Sequence, residues 1–286
     1  MGSVAHMLPD GKRLHLNHGP IDLIIEADGE PHEVKQAYIT AEARFATVLV
    51  ELVSELPLLR SEISALGLNL QGSIAKNMER VTRPHWRFRV TPMAAVAGAV
   101  ADEILATMLS QAELTHAYVN NGGDIALHLN SGASFIIASA AGPITIRSED
   151  QVRGIATSGW RGRSFSFGIA DSVTVLARTA AEADVAATLI ANAVDLAGSA
   201  KIKRQPACEI APDSDLRDRL VTVDVLPLNE HEIVTALDSG VEAANDFLRR
   251  DFIIAASLML VDETRHACTS IKSRFAASAQ KELHYA

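Results

Sequence analysis

The segment Ala117-Tyr-Val-Asn-Asn-Gly-Gly-Asp-Ile-Ala-Leu-His-Leu129 decides the fold class. Strand-forming residues flank a Gly-Gly-Asp turn on both sides, so the stretch reads as strand, glycine turn, strand. Such a hairpin makes antiparallel neighbours and needs no crossover helix. Upstream, Thr91-Pro92 opens a helix to about Ser110, with threonine as N-cap and proline in the first turn. Val34 to Leu56 repeats apolar residues at three- and four-residue spacing and stops at Pro57. Ile21–Ala27 is a strand ending in Asp28-Gly29, and residues 60–90 are mixed, broken by Gly67, Gly72 and Pro84. Downstream, Ser134–Ala140, Ile144–Arg147, Ser172–Ala177 and Leu220–Val225 read as strands. Thr179–Leu196 is an alanine-rich helix ended by Gly198, and Glu230–Phe252 is a long helix. Residues 201–217 read as irregular, and the polar last twenty residues are expected to trail or dock on a partner. Helices and strands mix without regular βαβ alternation, which predicts an α+β fold of mixed or antiparallel sheets with packed helices.

A chain of 286 residues accommodates one domain or two closely packed lobes. Its net charge of −9 argues against nucleic acid as a partner, because phosphate backbones are gripped mainly by Lys and Arg. A small anion needs only a local positive spot. Cys208 and Cys268 stand far apart without a CxxC, so neither a disulfide framework nor a zinc site is expected, and a cytoplasmic location fits. No apolar run is expected to approach the roughly 18 residues of a membrane span. His15 and His18 are three apart in a strand and leave opposite faces, which makes them poor metal partners.

Two further stretches carry chemistry. Gly154-Ile-Ala-Thr-Ser-Gly-Trp160 is a small-residue turn whose N–H groups suit an anion, followed closely by Arg161 and Arg163, which can chelate phosphate. Asp184-Val-Ala-Ala-Thr188 places a carboxylate and a hydroxyl four apart, on one face of a helix. An acid in so apolar a helix needs a partner, and Mg²⁺ is one solution. The plainer alternative is a first-turn aspartate favoured by the helix dipole, with Thr188 merely packing. Asn120, Asn121, Gly122, Gly123 and Asp124 let bare backbone and amides approach a flat ligand, although Gly-Gly-Asp is also an ordinary hairpin turn. Asp102 is either a third interior acid or solvent-facing. Ser158 lacks the G-x-S-x-G elbow and a nearby His, so serine hydrolysis is disfavoured.

In order, these pieces resemble the ApbE superfamily of FAD:protein FMN transferases, and more closely an uncharacterised family related to ApbE. The resemblance covers roughly residues 90–195, within a motif-bearing core of about 90–198. Gly98-Ala-Val-Ala-Asp102, Asn120–Asp124, Thr157-Ser158-Gly159, Ser172-Val-Thr-Val175 and Ala183-Asp184…Thr188 follow the family's order. The resemblance implies Asp184 and Thr188 as Mg²⁺ ligands. The chain departs from the family pattern twice. Ala97 stands where the transferases have Lys, and Ser166-Phe-Gly-Ile-Ala-Asp171 replaces a His-x-x-Asp-Pro-x-Thr-Gly segment. Those absent groups would handle the pyrophosphate and the reacting phosphate.

The combined expectation is an ApbE-like protein binding a phosphate-bearing, flavin-type ligand (FAD or FMN) with Mg²⁺. Asp102, Asn120–Asp124, Thr157, Ser158, Gly159, Arg161 and Arg163 would line that ligand. Phosphoryl or FMN transfer, or phosphate-ester hydrolysis, is the expected chemistry. The rivals are a non-catalytic flavin or nucleotide binder, and a hydrolase or lyase acting on a non-nucleotide small molecule. A homo-oligomer is compatible with all three; no membrane partner is expected.

Overall fold

The computed structural model describes residues 2–139 and 142–268. Along the chain run β1 (Val4–Met7), β2 (Leu14–His18), β3 (Ile21–Gly29), α1 (Pro31–Ser54), α2 (Leu56–Leu59), α3 (Ser73–Thr82) and α4 (Val96–Leu109). Then come β4 (Leu114–Asn121), β5 (Asp124–Leu129), β6 (Ser134–Ser139), β7 (Gly142–Arg147), β8 (Gly154–Ser158), β9 (Ser172–Ala177) and α5 (Ala180–Ala193). The chain continues through β10 (Ile202–Pro206), α6 (Ala207–Ile210), β11 (Leu220–Val225), α7 (Glu230–Arg249), β12 (Ala255–Leu260) and β13 (Glu263–Cys268). The fold class is α+β, as expected. Two compact units are discernible: residues up to Ser134 with Arg147–Ala156 and Ala177–Val185, and Phe135–Ile146 with Thr157–Leu176 and the residues from Ala186 on. Both β8 and α5 begin in the first unit and end in the second.

In the first unit the strand order is β1-β2-β3-β4-β5-β8, and these strands pair antiparallel. Alternation builds the core: Leu14 and Leu16 on β2, and Ile21, Leu23 and Ile25 on β3, point to one buried side. Onto the sheet pack α1 and α4, and α4 also meets α3. The inner row of α1, Ala37, Ala41, Phe45, Val48 and Leu52, keeps helical spacing and is buried. In the second unit β9, β12 and β13 pair antiparallel beneath α7, β10 pairs with β11, and β6 with β7. A capping box at Asn229 and Glu232 starts α7.

Several expectations need correction. The first long helix starts at Pro31, since proline is tolerated in a first turn, and Pro57 sits inside the short α2 for the same reason. Pro92 opens a 3-10 turn, Pro92–Ala95, rather than the α-helix itself. Residues 201–217 are not irregular, for β10 and α6 lie within them, and β10 pairs with the following strand β11, which its own polarity does not reveal. The mixed 60–90 region holds α3, and the expected turn at residues 154–160 begins as strand β8, its Gly154 and Ile155 paired to Ala126 and Ile125 of β5. The continuous helical stretch Pro92–Leu109 is long and apolar enough to cross a membrane by length and composition, with mean hydropathy 1.4, contrary to the expectation that no run approaches that length. Small residues dominate it, which lets neighbouring elements cover half of it. The expected strand to Ala140 reaches outside the described residues at its last position, as does the polar tail from residue 269.

Candidate functional site

The α4 helix begins without a side-chain cap: Ala95 precedes it and has no acceptor to offer, so its first amides need one from elsewhere. Asp184 supplies it. Its Oδ2 accepts the Gly98 N–H at 3.0 Å, and the Ala97 amide contributes a further hydrogen bond. The favour is returned, because Asp102 on α4 accepts the Ala180 N–H at 2.9 Å and the Ala181 N–H at 3.0 Å, the opening amides of α5. Thr179 Oγ1 takes the Glu182 N–H. The two helix starts thus exchange carboxylates, each negative charge resting on the positive end of the other's dipole.

This exchange requires close approach, and glycine allows it. A Cβ on Gly98 would lie 2.7 Å from Ala181 N and closer still to the Ala180 carbonyl. One on Gly154 would fall inside the Thr179 carbonyl. The Gly98…Asp102 spacing therefore has a physical meaning: glycine admits the neighbouring helix, and the acid one turn later caps it.

The β4–β5 hairpin packs against the same place. Gly122 and Gly123 adopt φ of +66° and +114°, a turn that disfavours side chains. Asn120 Oδ1 receives the Gly123 N–H at 2.8 Å, and buried Asn121 donates from Nδ2 to the Ala97 carbonyl at 3.1 Å. Asp124, the first residue of β5, pairs with Asn121 across the turn and bears electrostatically on Asp184. Burial pushes the Asp184 carboxyl well above the ordinary range; the negative charge of Asp124 adds to this, and the Gly98 and Ala97 amides oppose it. Burial also raises Asp102, to about 6, against the pull of its two amide partners.

Of the expected site residues, Asp102, Asn120–Asp124 and Asp184 all lie in the first unit. Asp102 is neither solvent-facing nor free-standing, since each of its oxygens is taken by an amide. Thr188 follows Asp184 by one turn of α5 and is half-buried. Thr157, Ser158, Gly159, Arg161 and Arg163 belong to the second unit. There Thr157 Oγ1 meets Thr174 Oγ1 at 2.9 Å. A Cβ on Gly159 would stand 2.9 Å from Ala170 O and crowd the Asp171 backbone. Arg161 lies over the Trp160 ring and binds Asp171 at 2.7 Å, so its charge already has a partner, whereas Arg163 is exposed. Among the described residues no group of three or more His, Cys, Asp or Glu side chains is placed to hold a metal.

Sequence reasoning missed the reciprocal capping and the role of Asp171, which also accepts the Val261 N–H at 2.6 Å. The first had a signal in the uncapped Ala95 and in two acids at matching early positions of two helices. The second had none, because its partner lies ninety residues away.

Comparison with known proteins agrees with this architecture. A family model described as "AbpE bacteria" matches residues 5–266. A UPF0280 protein of Methanospirillum hungatei is 32% identical over 155 residues, 52% of this chain and 62% of that protein. One from Methanothrix thermoacetophila is 41% identical over 113 residues, 37% of this chain and 47% of the other. The aligned chain thus spans about half to three-fifths of these relatives. A mutant of the flavin transferase ApbE from Vibrio cholerae superposes with a TM-score of 0.50 at 13% identity, covering 96% of this chain and 100% of that one, a likeness of fold.

Proposed function

The chain belongs to the AbpE bacteria family, and on that footing we propose that it binds a divalent cation, Mg²⁺, at Asp184 and uses it to hold a phosphate-bearing, flavin-type ligand. One observation carries the proposal. Asp184 is half-buried with a second carboxylate, Asp124, acting on it, and one of its oxygens is already fixed by the Gly98 amide. A proton or a cation would relieve the repulsion between two such acids. Their all-oxygen chemistry, with the Thr188 hydroxyl one turn along α5, suits a hard ion, which also keeps water or phosphate oxygens as ligands.

The protein's own residues would divide the work. The Gly98 and Ala97 amides orient Asp184; Asn121 anchors the hairpin that carries Asp124; Gly122 and Gly123 leave backbone bare for a flat ring. In the second unit Thr157, Ser158 and Gly159, with Arg163, are proposed in their own right as donors to a phosphate, and Arg161 is weaker in that role because Asp171 holds it. When bound, Mg²⁺ would polarise a phosphoryl oxygen. The structural neighbour is a flavin transferase, so FAD or FMN is the first ligand to test.

A second reading is favoured by a specific observation. Ala97 and the Ser166–Asp171 segment lack the Lys, His and Pro implied by the family resemblance, and in-line transfer needs its groups positioned as well as a metal. On that reading the protein binds flavin without turning it over. Incubation of the full chain with FAD and Mg²⁺, followed by product analysis, separates the two. AMP or FMN release supports transfer or hydrolysis, and retained intact flavin supports binding alone. No flavin affinity, together with unchanged metal binding in Asp184→Asn, defeats both.

A further inference from the structure

Helix α1 carries two apolar rows. The inner one is buried, as described above. The other, Ile39, Ala43, Ala46, Val50 and Val53, recurs at alternating four- and three-residue steps on the opposite side and is exposed, Val50 by 67%, Val53 by 54% and Ile39 by 52%. A surface helix ordinarily turns polar residues outward. A row averaging 3.5 residues per repeat is instead the seam along which helices pair, and small side chains at its centre let two axes come close.

We infer that this outer row of α1 is the interface of a two-fold homodimer, with the α1 helix of a second copy laid antiparallel along it. The row complements itself. With Ala46 on the axis, Ile39 faces Val53 of the copy, and Ala43 faces the neighbourhood of Val50, so small meets large. Beside the start of this row, Val34, Lys35, Tyr38 and Ile39, with Met7 and Leu14, line a cavity of about 430 Å³.

Charge agrees with this occupant. Gln36, Thr40, Thr47 and Ser54 border one side of the row, and Lys35 and Glu42, opposite in sign, border the other. Two copies of a chain of net charge −9 can therefore meet here without opposed like charges. Half-exposed side chains of this size offer on the order of 500 Å² per copy, so the pair buries on the order of 1,000 Å², the lower bound of a specific interface.

Sedimentation equilibrium of the full chain tests the inference. The native chain is expected at twice 30.6 kDa at tens of micromolar, and Val50→Glu and Ala46→Glu at a single mass with unchanged far-UV circular dichroism. A single mass for the native chain, or a doubled mass kept by both folded variants, overturns it. Register is read by cross-linking with a short bis-maleimide, the native chain giving the background of Cys208 and Cys268. Ala46→Cys should join, and Ile39→Cys should not, its copies lying roughly 20 Å apart at ~1.5 Å per residue. Joining through Ile39→Cys as efficiently as through Ala46→Cys means parallel helices and refutes the proposed arrangement.

Discussion

Gly98→Ala tests whether the two helix starts are locked together. In an ordinary helix interior this change stabilises by about 1 kcal/mol, because alanine is the better helix former. Here the new methyl lies 2.7 Å from Ala181 N and nearer to the Ala180 carbonyl, and both obstacles are backbone. Carbon contacts settle at about 3.5 Å or beyond, so the start of α5 must retreat by about 1 Å. That retreat stretches the Asp102 bonds to Ala180 and Ala181 from 2.9 and 3.0 Å past hydrogen-bonding range. Overpacking costs about 1–3 kcal/mol, and a lost cap about 1 kcal/mol more. Set against the propensity gain, the net expectation is a loss of about 2 kcal/mol. In urea the midpoint should fall at unchanged slope, and thermal unfolding should drop by about 3 °C for a chain of this size. Equal or greater stability in Gly98→Ala would refute the close approach and the reciprocal capping built on it.

Other expectations follow from the same geometry. The folded Asp102 holds its proton to about pH 6, against an ordinary value of 3.8, so the unfolded chain releases it first. This group therefore lowers stability as pH rises from about 4 to about 6, with a constant penalty above. Asp102→Asn removes that dependence, and urea midpoints in metal-free buffer across this range should show a flatter profile than the native chain; identical profiles would contradict the assignment. At Gly122, with φ of +66°, alanine should cost about 1 kcal/mol by straining the hairpin, measurable as a shifted urea midpoint, and no shift would deny the turn. Because Arg161 is mostly exposed and paired with Asp171, Arg161→Ala should alter stability by under about 1 kcal/mol. A tenfold loss of flavin affinity in the same variant would instead assign its charge to the ligand.

The sequence carried the fold class because the hairpin at Asn121–Asp124 and the periodic helices are local signals. Positions such as Gly98 and Asp102 stood out as a motif before their purpose was visible. Their function is to meet α5 nearly eighty residues later, and only packing reveals that. The strand β12 escaped notice because one of its partners, β9, lies far upstream, while β10 and β13 are polar in sequence and are held by the neighbouring β11 and β12. Arg161 read as a spare positive charge because its partner Asp171 lies across a turn that spacing alone does not close. From sequence Asp184 admitted a first-turn, helix-dipole reading and a metal reading. The structure shows it capping the start of α4 through the Gly98 and Ala97 amides.

Calorimetric titration of metal-stripped protein with Mg²⁺ examines the central claim most directly, with Asp184→Asn as the comparison, since its amide oxygen can still accept the Gly98 N–H while the charge is gone. The account predicts one site in the native chain and at least about tenfold weaker binding in the folded variant, a difference of about 1.4 kcal/mol. Equal affinity in the two, or no binding to the native chain, would leave Asp184 a helix cap and nothing more.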